Sequence, residues 1–165
     1  MIYRYLIATA MMMACCLGNA ATGNDVRLEK NISVALATEA ATAALQFCSA
    51  KGWKVSAAVV DRAGQLKTQL RADGAGPHTL DSSRRKAYTS ASLHESTSKL
   101  LDIVQKNPGA ATLPMIDDLL ILGGGLPIRA GDEIIGAIGI GGAPGGHLDD
   151  QCAEAGIAKI GDRLQ

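Results

Sequence analysis

Chemistry in this chain concentrates where residue type and spacing bring donors and charges together. His78 follows a turn that contains Gly74, Gly76 and Pro77, and three consecutive cations, Arg84, Arg85 and Lys86, come within two helical turns of it. An imidazole ligates metals or moves protons near neutral pH, and clustered cations hold carboxylates or phosphates. The first turn of a helix adds free N–H groups for an anion. The plainer reading of the same residues is a solvated loop histidine and a solvated helix face. His147 stands beside Asp149 and Asp150, a donor set that several metals accept, although both acids can equally cap the helix that follows. His94 falls where a helix ends, and an imidazolium there complements the macrodipole.

The glycines Gly123, Gly124, Gly125, Gly136, Gly139, Gly141 and Gly142 do not form a phosphate loop, because neither the P-loop nor the dinucleotide fingerprint is present around them. Glycine inside a strand weakens it unless another backbone or a flat ligand approaches closely. Two glycine-bearing strands side by side leave either a bare groove for a planar molecule or a seat for a packed helix or subunit. No Gly-x-Ser-x-Gly elbow and no Cys-x-x-Cys-His is found, so neither a serine hydrolase nor covalently attached c-type haem is indicated. With no nucleophile and no metal cluster legible, the expectation is a binding protein, not an enzyme.

The elements that must position these residues follow from periodicity. Leu28, Ile32, Leu36, Ala40, Ala43 and Phe47 recur at spacings of four and three, a helical stripe, and Gly52 is placed to stop it. Alternation then takes over. Residues 55–60 read as a strand buried on both faces, Asp61 to Gly64 as a turn, and residues 66–71 as a half-solvated partner. A helix is predicted to start with Thr79 as N-cap and to run to His94. A short one begins near Ser96 or Thr97 and ends before Pro108. A second hairpin is predicted over residues 119–129 and 133–142. The last helix is capped by Asp149 or Asp150 and turns Cys152, Gly156, Ile157, Ile160 and Leu164 to one face. Helix, hairpin, two helices, hairpin, helix is an α+β order: an antiparallel sheet of two hairpins covered by helices.

Compartment is read from the start of the chain. Arg4 precedes an apolar run over residues 6–17, and small residues Gly18 and Ala20 flank Asn19. This is the layout of an export signal cleaved after Ala20, too short to span a bilayer; lipidation at Cys15 is the weaker alternative. Residues 21–165 are then expected to form one domain, periplasmic or secreted. The charged residues balance at 16 of each sign, which gives no electrostatic reason to bind nucleic acid or an anionic membrane. Cys48 near the end of the first helix and Cys152 near the start of the last would meet if those helices pack antiparallel. Export permits a disulfide; the alternative is two buried thiols.

The segments Arg71 to Tyr88 and Gly123 to Ile140, continued by Gly141 to Gly146 and Asp150 to Ile157, resemble the GlcG/HbpS family of haem-binding proteins, and the resemblance covers nearly all of the chain after Ala21. It implies a profilin-like or roadblock-like sandwich, a homo-oligomer, and reversible binding of haem or a related tetrapyrrole at a shallow surface or intersubunit groove, with haem breakdown or iron release credited to some members. Read from this loop and not carried over from the family, His78 is the candidate axial ligand and Arg84, Arg85 and Lys86 the candidate propionate partners. An alternative drawn from the same family is a non-haem accessory module that serves a cofactor-dependent oxidation or a cobalamin pathway.

Overall fold

The computed structural model describes residues 26–165; the expected export signal and the cysteine considered for lipidation lie outside them. Four helices and four strands follow in the order α1 (Val34–Ala50), β1 (Ser56–Asp61), β2 (Leu66–Arg71), α2 (His78–Leu93), α3 (Thr97–Lys106), β3 (Gly125–Ala130), β4 (Glu133–Gly141) and α4 (Gly146–Ile160). The strands form one antiparallel sheet ordered β2-β1-β4-β3. The two hairpins therefore lie side by side with β1 and β4 in the middle. Ala57, Ala58, Val59 and Val60 are all fully buried, because a central strand is covered on both faces. Pro127 sits in the edge strand β3, where a missing N–H leaves no ladder bond unmade. Among the described residues no helix is long and apolar enough to cross a membrane.

Alternation assigns the two faces. Ala57, Val59, Ile138 and Ile140 meet α1 and α4 in the larger core, while Val60 and Ala137 meet Ala87 and Ala91 of α2 on the other side. The first face is built from small residues. Ala37, Ala40, Ala41 and Ala44 are fully buried on α1. A Cβ on Gly156 of α4 would stand 2.6 Å from the Ala40 carbonyl, so the two helices touch backbone to backbone. That approach brings Cys48 and Cys152 together in a disulfide with a Cα–Cα distance of 5.7 Å.

Two expectations about element ends are corrected. The first helix begins at Val34, not near Leu28, because Ser33 accepts from the Leu36 N–H as N-cap. The residues before it run extended, with the Ile32 N–H on the Ile135 carbonyl, and leave Leu28 exposed. The third strand begins at Gly125, not Leu119, since Gly124 turns with φ 117°. Ser96 does cap α3, and Gly52 (φ 78°) follows α1 as the left-handed terminator.

Candidate functional site

His78 is the first residue of α2, and its side chain is exposed. The imidazole lies over bare backbone: a Cβ on Gly76 would be 2.6 Å from its Cε1. Thr79, expected as the N-cap, is instead buried one residue inside the helix. Its hydroxyl donates to the Gly76 carbonyl at 2.6 Å, which leaves its oxygen to accept from Ser56 at 2.7 Å. Those bonds pin the helix start to β1. The neighbouring imidazole is thus anchored at its backbone and open at its ring, as a donor to an external ligand must be.

The three cations separate. Successive helical residues are about 100° apart, so three in a row cannot share one face. Arg84 donates to Asp118 Oδ1 at 2.7 Å and Asp81 Oδ1 at 3.2 Å. The Asp118 hydrogen bond raises the guanidinium pKa, and the guanidinium in turn holds the Asp118 carboxyl below its ordinary value. Arg85 donates to the Leu119 carbonyl at 2.8 Å. Together they hold the connection between α3 and β3 against α2, and Thr89 Oγ1 accepts from the Leu120 N–H at 2.8 Å in the same seam.

Lys86, expected beside them on a solvated face, is interior. Only 2 % of its side chain is exposed, with Nζ 2.8 Å from Asp149 Oδ2 and 2.9 Å from the Ile140 carbonyl. It belongs to a stripe with Thr79, Ser83, Ala87 and Ser90, all buried. That spacing of three and four was legible in the sequence as the inner face of α2, and it separates Lys86 from the two arginines.

Asp149 and Asp150 are not helix caps either; Gly145 occupies that position. Asp149 is buried, which raises its pKa against the pull of Lys86, and it also accepts from the Ala143 N–H at 3.0 Å. Asp150 accepts from the Gly124 N–H at 2.6 Å and from the Ser98 hydroxyl. Both carboxylates point inward while His147 is exposed. Among the described residues no group of three or more His, Cys, Asp or Glu side chains is arranged to hold a metal. His94 is the left-handed C-cap of α2 with φ 60°.

The glycine strands do not form an open groove. A Cβ on Gly139 would collide with the Ser83 carbonyl and the Ala87 N–H, one on Gly125 with the Lys86 carbonyl, and one on Gly141 with the Ser82 hydroxyl. Helix α2 lies directly on them, which is the packing use of strand glycine.

The arrangement has counterparts. The chain is 39 % identical to a double mutant of HbpS from Streptomyces reticuli, over 92 % of this chain and 97 % of that one, with a TM-score of 0.78. PduOC, solved in complex with heme, shares the fold at a TM-score of 0.71 and 23 % identity, over 79 % of this chain and 95 % of that one. An uncharacterized 15.0 kDa protein of Citrobacter freundii, from the dhaT-dhaS intergenic region, is 35 % identical over 86 residues; the match takes in 51 % of this chain and 61 % of that protein. The family described as "Haem degrading protein HbpS-like" matches residues 32–158, from the strand-paired Ile32 to the body of α4, and the chain belongs to that HbpS-like family.

Proposed function

We propose that this protein is exported and binds haem reversibly, with His78 as the axial donor. Two features support the reading: membership of a family described by haem chemistry, and an exposed imidazole on a helix start that Thr79 and Ser56 fix to the sheet. The second carries it, because imidazole is a common haem ligand and this one is held without being enclosed. A shallow, exchangeable site follows, at the surface or between subunits of a homo-oligomer. Arg84 and Arg85 reach propionates only by exchanging Asp118 and Asp81 for them, and Lys86 takes no part. On this reading residues 1–20 are an export signal, and the protein works in the periplasm or outside the cell.

A haemin titration followed by Soret absorbance, run beside His78→Ala, tests this. A saturable shift that the substitution weakens or moves is the expected result. A saturable shift left unchanged keeps haem and removes His78. With no saturable shift the haem reading fails and the accessory-module reading takes its place. The same cuvette, given a reductant and an iron chelator, shows whether bound haem is broken down and its iron released.

A further inference from the structure

Near the start of β1 lies a cavity of about 420 Å³, bounded by Leu45 of α1, Gly52, Trp53, Lys54, and Ala72 and Asp73 beyond β2. It falls within the ordinary size range of small-molecule sites. Trp53 is the single tryptophan of the chain and is packed against the larger core, so its ring is a fixed apolar wall. The rim is bare at Gly52, where a Cβ would meet nothing within 4 Å.

Lys54 links this cavity to the loop that leads into His78. Its aliphatic chain and Nζ lie against Gly74, 3.1 Å from where a Cβ would stand, and its backbone carbonyl packs on Gly142, which also touches Thr79. The cations of α2 are bound to Asp118, Asp81 and Asp149. Lys54, by contrast, has no carboxylate within 4 Å among the described residues; Asp73 lines the same rim without pairing to it.

We propose that this cavity seats the flat apolar edge of a carboxylated tetrapyrrole against Trp53, with Lys54 as the cation that meets its carboxylate. The inference rests on the haem reading above and extends it to residues on the far side of loop 72–77. The chemistry fits: a half-buried indole and two aliphatic walls bury part of a ring, and an unpaired ammonium at the mouth meets an acid that stays near water. Lysine suits this role because its stem lies along apolar surface while its charge remains solvated.

Metal-free protoporphyrin IX and its dimethyl ester test the site, since neither needs an axial ligand. Trp53 emission and porphyrin fluorescence report binding. The expected result is saturable binding of the diacid, weakened at least about tenfold by the cavity-filling Ala72→Phe. Lys54→Glu, on the surface and neutral for folding, is expected to weaken the diacid about fivefold and leave the ester unchanged; His78→Ala should leave both within about twofold. Diacid binding that neither Ala72→Phe nor Lys54→Glu alters, or no porphyrin binding at all, overturns the proposal. Haemin run in parallel separates the two readings. A haemin Soret shift sensitive to His78→Ala but to neither cavity variant sinks this inference and leaves haem binding intact, whereas no haemin binding sinks both.

Discussion

Lys86 Nζ lies 2.8 Å from Asp149 Oδ2, and the two side chains are 2 % and 4 % exposed. This buried pair joins α2 to the first turn of α4. Asp150, the next residue, reaches Gly124 and Ser98, so two consecutive aspartates tie four parts of the chain together.

Removing one partner of a buried pair leaves the other charged and unpaired. Lys86→Met is expected to lower stability by about 3–5 kcal/mol in urea denaturation. The double variant Lys86→Met with Asp149→Leu should recover more than half of that loss. The shortfall comes from the Ala143 N–H, whose acceptor is Asp149, at about 1–3 kcal/mol for a buried donor left unpaired. Equal losses in the single and double variants would show that the pair's charges are not what the single substitution exposes.

Gly139 and Gly131 should respond differently to alanine. At Gly139 the new methyl meets the α2 backbone, and overpacking there is expected to cost about 3 kcal/mol. At Gly131 nothing lies within 4 Å and only the positive φ of 60° opposes the change, a cost of about 1 kcal/mol. Thermal melts of the two variants side by side make the comparison.

Cys48 and Cys152 are separated by 104 residues. Closing so long a loop restricts the unfolded chain and contributes about 4–5 kcal/mol in the chain-entropy account. Replacing both by alanine, or unfolding under reductant, should lower the denaturation midpoint accordingly. Thiol titration of the unfolded, unreduced protein should find neither cysteine free.

Asp118 governs the connection between α3 and β3. Arg84 holds its carboxyl below the ordinary value of 3.8. A depressed folded value means that this attachment is complete above the unfolded pKa and is lost as pH falls through the folded one. Acidification below 3.8 should therefore lower amide-exchange protection over residues 107–122, measured against the intrinsic rate at each pH. Asp118→Asn should bring about the same loosening at neutral pH and flatten the acid response. The midpoint of global unfolding should barely move, because Leu119 stays buried and Arg85 and Thr89 still hold the segment.

By itself the amino-acid order determined the element sequence, both hairpins, the C-terminal end of α1, the two ends of α3, and the family. Those features rest on local physics: side-chain period, a left-handed glycine, a serine cap and a proline that cannot continue a helix. Only the tertiary structure decided what the polar residues do. Arg84, Arg85 and Lys86 read as one basic run, yet the 100° turn between helical neighbours sends Lys86 to Asp149, 63 residues away, and the arginines to the segment around Asp118. The strand glycines admitted either a groove or a packed helix, and the position of α2 above Gly125, Gly139 and Gly141 settled that in favour of the helix. Lys54 and Trp53 carried no motif at all. Their relation to the loop before His78 exists because the end of α1, the start of β1 and the exit of β2 converge at one end of the sheet, a juxtaposition that no local pattern encodes.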